Sequence, residues 1–246
     1  MERSLIAWTD HTFNPWMGCT KVSDGCKNCY AATLTKNRMG LHLWGPEASR
    51  QVTSPENWKK PLKWNRIAMR EGQRRRVFCA SLCDIFEEHP VADETRPKVW
   101  ELIRQCDWLD WQILTKRPHR IAANLPADWG TGWPNVWLGT SVEDMRVAHR
   151  ADDLRDIPAV VRFISYEPAI GSLQTLNLRG IDWVIYGGES GPGWRPEDKE
   201  WAREMRRKCE AAGIAFFHKQ SASYRTEMGI ELDGESVRNY PVPRHG

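Results

Sequence analysis

Three cysteines fall within eleven residues near the start of the sequence: Cys19, Cys26 and Cys29, spaced C-x6-C-x2-C. The segment reads Asn14-Pro15-Trp16-Met17-Gly18-Cys19, then six residues to Cys26, then Lys27-Asn28-Cys29-Tyr30. Pro15, Gly18 and Gly25 punctuate it, so the thiols lie on a loop able to fold round a metal. Thiolates are soft ligands that suit zinc and iron–sulfur centres. Three are one short of a closed structural zinc site, which His11 would complete. A 4Fe-4S cluster held by three cysteines instead leaves one iron open. That iron can take the amino and carboxylate groups of S-adenosylmethionine (SAM), whose cleavage starts hydrogen abstraction. A third reading leaves the cysteines unligated in the core.

The cluster is the expectation carried forward. The first gap is longer than in the commonest radical-SAM pattern, C-x3-C-x2-C, so the motif gains weight from its place ahead of a repeating strand–helix body. The other four cysteines stand apart. Cys106 and Cys209 lie on apolar helix stripes and read as core, and Cys79 and Cys83 stand in apolar contexts. Seven cysteines, with no apolar leader at the start, read as reduced thiols of a cytosolic protein. No run of about 18 apolar residues exists, so no membrane partner is expected. A net charge of +3 neither requires nor excludes nucleic acid. Fourteen tryptophans suggest that some line a cleft for a planar or apolar ligand.

Short apolar runs predict strands over 77–81, 111–115, 136–140, 160–165, 183–186 and 214–218. Helical spacing predicts helices over 93–106, 143–155 and 197–212. The alternation argues for an α/β fold: a partial TIM-barrel-like (βα)6 parallel sheet in one domain over 1–246. Residues 1–70 would form the cysteine loop and an extension, 77–220 the body, and 223–246 a small appendage with a hairpin signal at Asp233-Gly234. In such folds ligands sit beyond the carboxyl ends of strands. Asp84, Lys116, Arg117, Ser141, Glu143, Glu167, Glu189, Ser190, Lys219 and Gln220 all follow strands and would meet at one mouth.

The sequence resembles the phage Gp37/Gp68 family, also known as DUF5131. The resemblance rests on Ile6-Ala-Trp-Thr-Asp10, the cysteine segment, Ser81-Leu-Cys-Asp84, Leu114-Thr-Lys-Arg-Pro118, Asn135-Val-Trp-Leu-Gly-Thr-Ser-Val-Glu143, Ser165-Tyr-Glu-Pro168 and Gly187-Gly-Glu-Ser190. It implies a radical-SAM-like protein with a TIM-barrel-like fold, often encoded beside a three-Cys-motif partner protein. Cys83 departs from it, since members often have serine there; the departure points to packing rather than ligation.

Roles follow as expectations. Cys19, Cys26 and Cys29 bind the cluster. Ser81 and Asp84 hold the amino end of SAM, and Lys116 or Arg117 its carboxylate. Ser141 and Glu143 take the ribose hydroxyls. Glu167, Gly187, Gly188 and Glu189 face adenine or substrate. Tyr30 and Tyr166 donate a hydrogen atom or pack over the cluster. An electron donor such as flavodoxin or ferredoxin would be needed. Nucleic acid is one expected partner, because the basic runs 59–63, 70–76 and 203–208 have Trp58, Trp64 and Trp201 interleaved. Two other readings stay open: a zinc-stabilised nucleic-acid-binding protein without catalysis, and a radical enzyme acting on a small molecule or protein.

Overall fold

The computed structural model describes residues 4–244; residues 1–3 and 245–246, the outer ends of the predicted extension and appendage, lie outside the described residues. A short strand β1 (His11–Phe13) leads into the cysteine segment, which contains β2 (Trp16–Met17), a 3-10 turn (Asp24–Cys26) and helix α1 (Tyr30–Met39). β3 (Gln51–Val52) pairs antiparallel with β2, and α2 (Pro55–Glu71) returns the chain to the sheet. β4 (Arg75–Cys79), α3 (Pro90–Arg104), β5 (Leu109–Thr115) and β6 (Val136–Ser141) follow. Then come α4 (His149–Arg155), β7 (Val161–Tyr166), β8 (Trp183–Gly187), α5 (Lys199–Ala212) and β9 (Ala215–Gln220). The main sheet has the order β1-β4-β5-β6-β7-β8-β9, and every neighbouring pair is parallel.

All six expected strands are present, within two residues of the expected ends. The count of six is corrected to seven. β1 is only three residues long, too short to show a period of its own. Its place matters, because the cysteine loop then leaves the carboxyl end of a sheet strand as the other site loops do. The strict strand–helix alternation is also corrected. Pro118, Pro126 and Pro134 limit the chain after β5 to 3-10 turns, and irregular chain follows β7. The helix expected over 143–155 is split: Asp144 caps a 3-10 turn (Met145–Val147), and α4 starts at His149. Two helices fall in the stretch read as loop and extension. α1 buries little beyond Ala31 and Thr35. α2 hides its apolar face behind an internal Pro61 and a run of lysines, although Ser54 caps its start and left-handed Gly72 ends it.

The sheet is strongly curled. In a flat sheet β4 and β8, four steps apart, would lie roughly 19 Å from each other. Yet the Trp8 ring lies 4.5 Å from Phe78 of β4 and 6.1 Å from Trp183 of β8. Alternate residues divide accordingly. Phe78, Trp137, Phe163, Trp183 and Phe217 fill the concave face with Trp8, while Val77, Trp111, Leu138, Ile164 and Phe216 join the helix-packed core. β1 and β9 remain edges, so the half-barrel is open.

The C-terminal segment covers the β9 edge. His218 N–H donates to Val237 O, and Asn239 N–H to Phe216 O. Asp233 and Gly234 both take positive φ in the turn between Leu232 and Glu235, as the dipeptide predicts. Tyr240 then packs on Trp183 and Phe217, under the Arg76 guanidinium at 3.9 Å, and donates to Ala7 O. Rings therefore plug the amino ends of the strands, and the polar groups gather at the carboxyl ends.

Candidate metal and cofactor site

Local sterics set the path of the cysteine loop. Gly18 adopts φ of +109°, and a Cβ there would lie 2.5 Å from Leu43 O, so a side chain ahead of Cys19 is excluded. A Cβ on Gly25 would lie 2.5 Å from the Glu143 carboxylate, so the loop rests directly on that residue. Cys26 is buried at the end of its 3-10 turn, and Cys29 is the N-cap of α1.

Three buried carboxylates hold the loop, one from beyond each of β4, β6 and β8. Thr20 N–H donates to Glu87 Oε1 at 2.6 Å. Glu87 is paired with Arg50 through Nε–Oε2 at 2.9 Å and Nη2–Oε1 at 2.8 Å, and Arg50 also donates to Leu43 O, Gly45 O and Thr20 Oγ1. Ser23 Oγ donates to Glu143 Oε1 at 3.1 Å, while Lys116 and Arg150 bind the same carboxylate. Asn28 Nδ2 donates to Glu189 Oε2 at 3.0 Å and to Gly193 O at 2.8 Å, and Arg195 closes on Glu189. Each stretch of the motif thus has its own anchor: after Cys19, before Cys26, and between Cys26 and Cys29.

The electrostatics follow from these pairs. Burial alone would raise the Glu143 carboxyl, but the charges of Lys116 and Arg150 outweigh it and hold the group below its ordinary value. Glu189 is lowered too: burial opposes, and hydrogen bonds from Arg195 and Asn28 prevail. Burial, with the nearby Asp84 and Glu87 carboxylates, pushes the Cys19 thiol up, against the pull of Arg117. Burial also raises Cys29, opposed by the N–H groups of Ala31 and Ala32 at the start of α1. At Cys19 and Cys29 burial therefore favours the protonated thiol, and a metal would displace those protons on binding.

The remaining expected residues divide into braces and open groups. Asp84 accepts from Thr115 Oγ1, Lys116 N, Arg117 Nη1 and Phe86 N, which uses its lone pairs internally. Ser81 Oγ is bonded to Asn14. Arg117 turns toward the loop, donating to Thr20 O at 2.8 Å and approaching Cys19 Sγ at 3.7 Å. The Ser141 carbonyl accepts from Arg150, and the residue is buried. Glu167 is bound by Lys219 and covers Gly187, and a Cβ on Gly188 would meet Ala222 N. Lys116 keeps 22% of its side chain exposed. Tyr30 is exposed, and its hydroxyl donates to Ser81 O at 2.8 Å. Tyr166 lies in the helix-side core, edge-on to Tyr186. Cys83 packs against the core and accepts from Trp16 N–H.

Several expectations are corrected. Trp64 is buried against His11, Trp58 meets Phe13 edge-on, and Trp201 packs on the core, so none interleaves a basic surface. Arg203, Arg206 and Arg207 are bound to Asp233, Glu235 and Glu200. His11 lies under α2, stacked on Trp64 at 4.3 Å, so the zinc reading lacks its fourth ligand. Among the described residues no three His, Cys, Asp or Glu side chains are grouped to hold a single ion. A cubane asks for a different arrangement, since each thiolate meets a separate iron. The donor set fits it: three thiols on one loop, with helix N–H groups at Cys29 and a guanidinium at Cys19 to offset thiolate charge.

Sequence reasoning missed Arg50, Asn28, Arg150 and Arg195. Asn28 lies inside the motif, and Arg150 and Arg195 follow their carboxylates by seven and six residues. Arg50 carries no local signal.

The sequence model of the family described as protein of unknown function (DUF5131) matches residues 3–241. No curated protein matches the chain, and no solved structure does. No described helix is long and apolar enough to cross a membrane.

Proposed function

The chain belongs to the DUF5131 family, and because that description assigns no activity, we propose a function from the chain's own residues: a cytosolic radical-SAM enzyme of TIM-barrel-like fold, holding a 4Fe-4S cluster on Cys19, Cys26 and Cys29. The observation that carries this reading is the anchoring of the cysteine loop across the strand mouth by Glu87, Glu143 and Glu189. When bound, such a cluster supplies the electron that cleaves SAM and starts hydrogen abstraction.

The chain's residues have separate tasks. Arg117 and the start of α1 offset charge at the sulfurs. Lys116, partly exposed beside Glu143, is the group that would take the SAM carboxylate, since Arg117 is turned to the loop. Glu143 braces the loop and orients Lys116 rather than offering both oxygens to a ribose. The curled sheet keeps the mouth dry from below, because rings fill its floor.

Anaerobic purification should give a brown protein with about four iron and four sulfide per chain and an electron paramagnetic resonance signal on reduction. Dithionite and SAM should yield 5′-deoxyadenosine, lost in Cys26→Ala. Equimolar zinc without visible absorbance would overturn the proposal.

A further inference from the structure

The chain has 14 Trp, 5 Tyr and 6 Phe residues, and among the described residues only Tyr30, Trp194 and Tyr224 are exposed. They are 53%, 38% and 63% exposed and far apart in sequence, and each adjoins a residue bonded to the mouth loops. Tyr30 follows Cys29. Trp194 follows Gly193, whose carbonyl accepts from Asn28. Tyr224 follows Ser223, whose N–H donates to Glu189 O and whose carbonyl accepts from Gly191. The other aromatic rings among the described residues are buried or half-buried, and these three are left beside one site. The Tyr30 ring is also fixed, because its hydroxyl is tied to Ser81 O.

Exposed cations flank Tyr30 and Tyr224. The carboxylates of Glu87, Glu143 and Glu189 are each matched by arginine or lysine. Lys21 and Lys27 in the cysteine loop and Arg225 beside Tyr224 are exposed, and no carboxylate among the described residues pairs with them. Along the chain, the first 74 residues hold twelve basic against six acidic residues, and the remaining 172 hold 23 against 26. The modest total conceals a positive N-terminal stretch that contains the loop.

We propose that Tyr30, Trp194 and Tyr224 form a stacking platform for the unpaired bases of single-stranded nucleic acid, with Lys21, Lys27 and Arg225 meeting its phosphates. This rests on the reading of the mouth as a reaction site, to which it assigns a substrate class. Rings on three separate segments suit successive unstacked bases, whose faces are available only in a single strand. A small planar molecule would need one ring and no flanking cations.

The test uses the full chain, purified anaerobically, with labelled oligo-dT and oligo-U of about 20 nucleotides and a duplex of equal length. Single strands should bind more tightly than duplex, with affinity falling as salt rises. Trp194→Ala and Tyr224→Ala should each weaken binding roughly tenfold, and Trp194→Phe should retain most of it. Stacking should quench the fluorescence of Trp194, the one exposed indole among the described residues. Equal binding by the alanine variants, preference for duplex, or no binding at low salt overturns the platform. Iron content and 5′-deoxyadenosine report the cluster separately. Ring-dependent strand binding by an iron-free chain keeps the platform and sinks the cluster reading; SAM cleavage without strand binding does the reverse.

Discussion

At the amino ends of the strands, Trp183 packs its ring against Trp8, Trp137, Phe163, Phe217 and Tyr240. At the carboxyl ends, Arg50, Lys116, Arg150 and Arg195 meet Glu87, Glu143 and Glu189, which in turn hold the backbone and short side chains of one loop. Both ends are closed, by different physics. Ring packing is non-directional and scales with buried area, so it supplies stability with little control over position. Buried ion pairs add little net stability but fix geometry, and losing one partner leaves a costly charge. The floor therefore keeps the sheet curled, and the mouth keeps three thiols in place.

The sharpest way to break this division is Trp183→Ala. Removing a fully buried indole should cost about 4 kcal/mol in urea unfolding. Iron per folded molecule should stay at the wild-type level at a temperature where the variant is folded. Parallel loss of iron would show that floor and mouth are one unit.

Glu87→Gln should cost about 3 kcal/mol, because Arg50 stays fully buried without its anion. Here iron should fall with stability, since Thr20 N–H and Arg50 must share the one acceptor oxygen that glutamine keeps. The double variant Arg50→Met, Glu87→Met should recover much of the stability and none of the iron. Recovery of both would mean that the pair only fills space.

Gly25→Ala acts on the mouth alone. Its Cβ must displace the Glu143 carboxylate, for about 1–2 kcal/mol of overpacking. Iron loading should drop more than thermal stability does. A variant that loads normally would put the loop elsewhere in the loaded protein.

The two ends were unequally legible. The floor lies on strands buried on both faces, so Trp111–Thr115, Val161–Tyr166 and Trp183–Gly187 read as near-continuous apolar runs. β1 escaped because His-Thr-Phe has no such run, and with it went the reason why the cysteine loop belongs to the sheet. At the mouth the thiols were legible from spacing, and the acids from their position after strands. Their task was not. Whether Glu143 binds a ribose or a loop depends on Ser23, 120 residues away, and Glu189 depends on Asn28, 161 away. Arg50 and Glu87 meet across 37 residues that contain β3, α2 and β4, so neither announces the other. Long-range pairing, rather than residue type, decides between ligand contact and brace.

The smallest expected effect concerns acid. Glu143 sits below its ordinary value of 4.5, since Lys116 and Arg150 outweigh the cost of burial. A depressed folded value means that the unfolded chain binds more protons as pH falls past 4.5. The stabilisation is therefore complete above that pH and is lost as pH drops through the folded value. Ring packing on the floor carries no such dependence, although Asp10, lowered by its bonds to Arg76, titrates nearby. Global melting would blend the two, so hydrogen exchange on separate peptides is the better measure. From neutral pH down to about 5, protection over 19–29 and over 183–187 should stay in constant proportion. Below that, the loop should lose protection first, and Glu143→Gln should flatten the difference. Equal loss in both peptides would mean that the mouth owes its order to the floor rather than to its own ion pairs.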